Sequence, residues 1–599
     1  LMVLHDINLS ARYADHIFAM SKGKLIAQGS PSEVISRELM KQIYGLDCQI
    51  IEDPVSGTPL IVPEGRHHRQ ENTSAKKDTV EEKTEKEQKK ETSLLNQYEE
   101  ELNKYANPNA RWDGTVNKPE LMTGMSAIKF TDPTDSAEGT TVDTTSNDTE
   151  WYNYENKKWA NAKTEDGSMW VWIPRYAYRI HKENGVETQK FDIVFLVGLT
   201  DNYYDENGKL QTAQRQTSED QTIVTNGDAY TVHPAFTNES SINYANGGWD
   251  KELAGIWVAK FEAGYASGNN KATVKASSVN YSQDTSWVAK IEAGTSSDST
   301  QPARNWLDGK YGSTTTAIKY PTFQGLTYSM NYINHNDAYR ISKVLTESGN
   351  IYGLNSSSTD SHLMKNSEWG AVSYLSQSKY GLDGTNIVIN SVYLNNTTKS
   401  VYAVTGCASS TADASAVSTT IGALNNRTQS GVYVWTQKNG TAASSTGTIY
   451  GIYDMSGGTW ERTASIVNNG NSNLTTYGSQ VIADLNNGKS TRYITVYPHD
   501  SSKDSTSITN TDANLNTASQ ANYVKNTKIY GDGIRETSTA GTGKSSWYSD
   551  YSYFAGLNTP FFVRGGNYGS TSGAGLFYFN RNNGTSNYSN GFRSVLVSL

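Results

Sequence analysis

Cysteine is nearly missing from this 599-residue chain: Cys48 and Cys407 are the only two, and they sit in stretches of unlike composition. A disulfide framework is therefore not indicated, and the core has to hold by burial alone. Proline is scarce too, 13 residues against 50 glycines, so turns must come mostly from Gly, Asn, Asp and Ser. No apolar run reaches the roughly 18 residues of a membrane-crossing helix, and no basic-then-apolar export pattern opens the chain. Basic residues do not outnumber acidic ones: 52 Lys and Arg against 61 Asp and Glu exclude the clustered positive footprint of a nucleic-acid binder. Also absent is any G-x-x-x-x-G-K-[ST] run, the loop that cradles nucleotide phosphates.

What is present changes twice along the chain. Residues 1–68 read as a compact α/β piece: a strand Leu1-Met2-Val3-Leu4, a helix-like stretch Asn8 to Ala14, Ile17-Phe18-Ala19-Met20, a turn at Lys22-Gly23-Lys24 and a further short strand. The chain opens inside a strand, so a true beginning is expected upstream. Residues 69–110 crowd Lys and Glu between Lys76 and Glu91, then place Leu94, Leu95, Tyr98, Leu102 and Tyr105 at helical spacing. So few apolar residues cannot offset chain entropy, which predicts a solvated linker running into one amphipathic helix. From Ala110 onward charge falls, and Tyr, Asn, Gly, Ser and Thr punctuate short apolar runs: Met169 to Ile173, Ile256 to Phe261, Ser594 to Val597. These are strand-length and bounded by turn residues, with helical spacing confined to Asn331–Thr346 and His362–Gln377, so an α+β module with long irregular loops is expected. A division at 111–235 and 236–599 follows the composition. Trp257-Val258-Ala259-Lys260-Phe261-Glu262-Ala263-Gly264 is nearly repeated at Trp287 to Gly294, but two copies do not make a solenoid.

Val3-Leu4-His5-Asp6-Ile7-Asn8-Leu9-Ser10-Ala11-Arg12-Tyr13-Ala14-Asp15, then Gly29-Ser30-Pro31-Ser32-Glu33-Val34, Tyr44-Gly45-Leu46 and Glu52 to Pro59, resemble the closing part of an iron-siderophore-type ABC-transporter ATPase over residues 1–64. The resemblance implies that His5 is the switch histidine that contacts the γ-phosphate. Phosphoryl transfer also needs the glycine-rich loop and a Mg²⁺-holding carboxylate. Without that loop, ATP is expected to be an unlikely ligand and the chain is not expected to be an enzyme. The alternative is an ATP-binding protein of iron-siderophore import.

Gly451-Ile452-Tyr453-Asp454-Met455-Ser456-Gly457-Gly458-Thr459-Trp460-Glu461, Val563-Arg564-Gly565-Gly566-Asn567-Tyr568 and Gly591-Phe592-Arg593 resemble, in order and spacing, signatures of the formylglycine-generating-enzyme or sulfatase-modifying-factor family. That resemblance implies a C-type-lectin-like fold. The family's oxidases use a cysteine pair after the R-G-G run, where thiolates bind Cu(I). The corresponding positions here are Ser570 and Gly575, so no copper and no oxidase chemistry are expected, with a family-type enzyme kept as an alternative. Cys407 reads as buried filler, and His233 and His362 are too isolated for an iron site. The resemblance also implies a calcium site at Asp454, Gly457, Thr459 and Glu461, where two carboxylates and a turn supply hard oxygens. An Asp-initiated turn with a surface Glu is the plainer alternative.

Asn567, Tyr568, Ser570, Tyr578, Asn580, Arg581, Asn582, Asn583 and Tyr588 have a paratope-like composition, with Tyr for rigid contact area and Asn and Ser for adaptable hydrogen bonds. The composition resembles the variable proteins of diversity-generating retroelements and predicts a recognition surface for a protein or glycan. Such modules are displayed outside the cell, at its surface or on virions, whereas the ATPase-like stretch belongs on the cytoplasmic face. Loops that merely close the fold, or a structural part of a phage tail or cell envelope, would use the same residues.

Overall fold

The computed structural model describes residues 11, 14, 16–21, 24–44, 48–53 and 58–63, then 112–130, 139–144, 150–215, 229–238, 248–265, 289–291, 316–318, 320–331, 333–396, 400–410, 415–416, 431–486, 491–497, 499 and 530–599. The chain divides into two compact units, Leu1–Glu99 and Glu100–Leu599. The expected Leu1–Leu4 strand, the charged linker and its amphipathic helix lie outside the described residues, as does His5.

In the first unit, Ile17–Ser21 and Lys24–Gly29 form an antiparallel hairpin. A short helix Pro31–Val34 follows, started by Ser30, whose N–H and hydroxyl both donate to Glu33 Oε2 at 2.8 and 2.9 Å. Helix Arg37–Tyr44 then leads to a second hairpin, Cys48–Glu52 with Pro59–Pro63. Arg37 Nε donates to Cys48 O at 2.7 Å, and Val34, Ile35, Leu39, Met40, Cys48 and Ile61 close a small core.

The second unit mixes helix with two larger sheets. The first sheet has seven strands, all antiparallel, in the order Thr359–Leu363, Ser594–Ser598, Gly255–Ala259, Met169–Pro174, Asn161–Thr164, Met125–Lys129, Thr140–Thr141. The three apolar runs singled out above are thus neighbours at its centre. Met169–Pro174 and Gly255–Ala259 are buried at every residue, which is why they are continuously apolar rather than alternating. Tryptophans fill the space around them. Trp159, Trp172, Trp249, Trp257 and Trp369 each bury the ring and donate Nε1–H to a backbone carbonyl at 2.7–3.1 Å, so little of the gain from ring burial is lost to an unmade hydrogen bond.

The second sheet runs Thr495–Tyr497, Trp460–Val467, Phe561–Arg564, Phe579–Asn582, Ser552–Tyr553, Thr542–Gly543, and Asn590–Phe592 also pairs with Trp460–Val467. A smaller ribbon joins Val186–Phe195, Tyr176–Glu183 and Thr231–Val232. Helix Asn366–Ser376 is buried along its whole length and packs on both Val186–Phe195 and Trp460–Val467. At Gly370 a Cβ would stand 2.1 Å from Gly531 O, so only glycine lets that loop approach.

Both expected helices are shorter than their spacing predicts. One starts at His335 rather than near Asn331, because Asn334 Oδ1 accepts Asp337 N–H at 2.8 Å and fixes the start. The other spans Asn366–Ser376 rather than beginning at His362. Thr359–Leu363 instead pairs with the strand Ser594–Ser598, a tertiary partner that overrides local spacing.

Candidate functional site

The sequence-derived surface residues separate once placed. Asn567 and Tyr568 are each 8% exposed and Tyr578 is 2% exposed, so these three offer little surface to a ligand. Asn567 Oδ1 instead accepts Gly569 N–H at 3.1 Å and Ser570 Oγ–H at 2.9 Å, and Tyr568 stacks on Tyr393 at 4.6 Å. Ser570, Asn580, Arg581, Asn582, Asn583 and Tyr588 are half-buried. Much of their polarity is used locally: Asn582 Oδ1 accepts from Gly584 N–H at 2.8 Å and from Arg462 Nη1 at 3.0 Å, and Asn583 Oδ1 accepts from the Thr585 N–H and hydroxyl at 3.2 and 2.8 Å. Arg581 lies 3.8 Å over the Tyr553 ring, and Asn580 Nδ2 donates to the Tyr578 hydroxyl at 2.9 Å. At Gly575 a Cβ would meet Asp550 Oδ1 at 2.0 Å, so a larger residue there requires the Asp550 side chain to move.

The calcium reading is corrected. Asp454 and Glu461 do lie at one buried centre, but a guanidinium holds the position of a cation there. Arg593 donates through Nε to Glu461 Oε2 at 2.8 Å and through Nη2 to Glu461 Oε1, and also to Ala259 O and Tyr453 O at 2.8 and 2.7 Å. Asp454 Oδ1 accepts from Asn390 Nδ2 and Gly406 N–H, each at 2.9 Å. Thr459 N–H and its hydroxyl donate to Glu262 Oε2, and Gly457 N–H donates to Gly565 O at 3.1 Å. The side-chain oxygens of Asp454 and Glu461 are hydrogen-bonded within the protein, and among the described residues no group of three or more His, Cys, Asp or Glu is arranged to hold a metal ion. Burial pushes the carboxyls of Glu262, Asp454 and Glu461 above their ordinary range, and for Glu262 the neighbouring Asp454 and Glu461 add to the shift.

The two histidines singled out above serve separate interiors. His233 is ringed by Tyr176, Tyr178, Phe236 and Tyr374, and burial lowers its pKa to about 3. His362 joins Asp360 through Nδ1 at 3.3 Å and Glu368 through Nε2 at 2.8 Å. Arg492 and Tyr493 close on Asp360 Oδ2 at 2.5 and 2.6 Å.

Sequence reasoning missed the cleft beside the Tyr176–Glu183/Val186–Phe195 ribbon, of about 770 Å³. The ribbon alternates. Tyr178, Ile180, Phe191 and Ile193 belong to the core, with Phe191 stacked 3.9 Å from Tyr374. Arg179, His181 and Asp192 take the other face: Arg179 is directly opposite Asp192 in register, and His181 is two residues along from Arg179. Asp192 gathers both neighbours, accepting from Arg179 Nε at 2.9 Å and lying 2.7 Å from His181 Nδ1. Arg179 stacks 4.5 Å over Tyr230, whose hydroxyl pKa is raised by burial to about 12. Tyr203 and Tyr204 come from a hairpin, Asn202–Tyr204 with Leu210–Thr212, whose turn Asp205 fixes by accepting Asn207 N–H, Lys209 N–H and Gln211 Nε2 at 2.9–3.0 Å. The sequence signal for this face is the alternation in Tyr-Ala-Tyr-Arg-Ile-His, which shows a polar side without showing what stands opposite.

No protein-family profile matches the chain. Curated relatives match over a short stretch. The chain is 58% identical over 64 residues to the ferric enterobactin transport ATP-binding protein FepC of Escherichia coli (strain K12), covering 11% of this chain and 24% of that one. It is 46% identical over 74 residues to the achromobactin transport ATP-binding protein CbrD of Dickeya dadantii (strain 3937), covering 12% and 28%. It is 46% identical over 66 residues to the hemin import ATP-binding protein HmuV of Myxococcus xanthus (strain DK1622), covering 11% and 25%. The chain spans about a quarter of the length of these relatives. They support the ABC-transporter resemblance of the amino-terminal stretch, and they overturn the expectations that the chain is no enzyme and that ATP is an unlikely ligand, since these relatives are ATP-binding proteins. Among the described residues no helix is long and apolar enough to cross a membrane.

Proposed function

We propose that residues 1–64 are the closing segment of an ATP-binding subunit that drives import of an iron-siderophore or hemin. The observation that carries this reading is the 58% identity over 64 residues to FepC. By resemblance, His5 contributes the γ-phosphate contact, while the glycine-rich loop and the Mg²⁺-holding carboxylate belong to other parts of such a subunit. The role places this stretch on the cytoplasmic face, against a membrane permease. The test is complementation: an Escherichia coli FepC lacking the 24% of its length that this chain matches is mixed with the purified 599-residue protein, and ATP hydrolysis is followed. Restored turnover that is lost in His5→Ala is the expected result. Equal behaviour of wild type and His5→Ala sinks the assignment.

A second reading concerns the second unit. The half-buried Asn580, Arg581 and Tyr588, held by loops that the Asn582 and Asn583 turns fix, support a C-type-lectin-like recognition surface for a protein or glycan. Sequencing codons 567–590 across isolates tests it. Variation should concentrate at Asn580, Arg581 and Tyr588 while Asn582 and Asn583 stay fixed. Invariance throughout, with no neighbouring reverse-transcriptase gene, counts against it.

A further inference from the structure

We propose that the cleft beside the Tyr176–Glu183/Val186–Phe195 ribbon binds a neutral oligosaccharide, a site separate from the Asn580 to Tyr588 surface. Three features of its walls point to that chemistry. The first is size and shape: about 770 Å³ lies within the range of roughly 300–1,000 Å³ typical of ligand clefts. The second is charge. Cations and carboxylates line the cleft together: Arg179 pairs with Asp192, which also meets His181, Lys379 pairs with Glu155 at 3.0 Å, and Lys190 faces Asp383 at 3.5 Å, while Asp205 and Glu206 add two further carboxylates. The excess of carboxylate disfavours an anion, and a cation would meet Arg179, Lys190 and Lys379 already seated beside Asp192, Asp383 and Glu155. A hydroxyl, which donates and accepts at once, is suited to such alternating donors and acceptors.

The third feature is aromatic. Tyr203, Tyr204, Tyr230 and Tyr380 all line the cleft. Arg179 already covers one face of Tyr230, which removes that ring as a cation cage. Tyr204 is 41% exposed at the cleft, on the hairpin whose turn Asp205 locks, so an apolar ring stands in solvent without needing to be ordered on binding. A flat amphipathic ring beside fixed polar groups fits the C–H face and hydroxyl edge of a sugar, and the held hairpin lowers the entropic cost of contact.

The full 599-residue protein is applied to an array of neutral, sialylated and sulfated glycans, and the strongest neutral binder is taken to calorimetry. Binding confined to neutral glycans is expected, with affinity changed less than about two-fold between roughly 50 and 500 mM salt. Tyr204→Ala should weaken it about ten-fold, equivalent to about 1.4 kcal/mol, and Asp192→Asn should weaken it with an unchanged far-ultraviolet spectrum. Arg581→Ala should leave it unaltered. Binding of charged glycans only, or no glycan binding, overturns the proposal. So does glycan binding that Arg581→Ala removes and Tyr204→Ala leaves intact, which would move the ligand to the other surface.

Discussion

Replacing Arg593 by Met removes the guanidinium that faces Glu461, Asp454 and Glu262 while keeping an unbranched side chain in its place. Both partners of the central ion pair are buried, at 0% and 1% side-chain exposure. Losing one member of such a pair leaves an uncompensated interior charge and costs about 3–5 kcal/mol. Ala259 O and Tyr453 O lose their donor in the same step, so the lower end of that range is a floor. The pH dependence follows from the direction of the shifts. All three carboxyls titrate above their ordinary range in the folded protein, so the folded state favours their protonated forms. Such groups contribute stability that is fully present below the unfolded pKa, about 4, and is lost as pH rises through the folded pKa. Arg593 opposes that loss by lowering Glu461 and Asp454, and its removal pushes the folded pKa values higher still. Urea unfolding followed by tryptophan fluorescence should therefore show Arg593→Met destabilised by about 3–5 kcal/mol at pH 7, with the penalty shrinking toward pH 5. Adding Glu461→Gln should restore part of the loss. A penalty that is flat with pH, or a double variant as unstable as the two single effects summed, refutes the reasoning.

Lys260 is fully buried, donates to Asn161 Oδ1, Ile449 O and Gly451 O at 2.6–2.9 Å, and is held well below its ordinary pKa by burial; stability from this group is present above about pH 10.4 and declines as pH falls toward the folded pKa. Lys260→Met should flatten the stability profile between about pH 7 and 10, and an unchanged profile counts against that burial penalty. Cys407 is buried and its thiol is raised well above 9 by burial, with Asp454 adding to it, so a thiol reagent at pH 8 should label it only after unfolding; rapid native labelling contradicts its placement. Gly370→Ala forces a Cβ against Gly531 O and should cost roughly 1–3 kcal/mol in the same urea assay, with a loss below about 0.5 kcal/mol showing that the loop yields freely.

Local chemistry made some of this visible in advance. The runs beginning at Met169, Ile256 and Ser594 could be read as strands because burial on both faces demands unbroken apolar sequence. The Asn334 cap marks a helix start that spacing alone placed a turn too early. The strand Thr359–Leu363 carries no such signal, because its identity is set by pairing with residues more than two hundred positions away. Asp454 and Glu461 were found by motif but assigned the wrong counter-charge: Arg593 stands 132 residues beyond Glu461, and Glu262 comes from a third segment. Asn and Ser in residues 567–588 read as adaptable donors, yet an Asn that closes its own turn has the same letter as one that faces a ligand. The cleft was illegible for a related reason. Arg179, Asp192, Tyr204 and Lys379 come from four separate segments, and no local pattern joins them.

The position of Ser594–Ser598 bears on biosynthesis. It lies between Thr359–Leu363 and Gly255–Ala259, both of which leave the ribosome long before it does. Until it arrives, the edge that each of those two strands turns toward it is unpaired. A nascent chain stalled short of Ser594 therefore lacks the strand that joins Thr359–Leu363 to Gly255–Ala259, and leaves an open sheet edge of the kind that pairs with other chains.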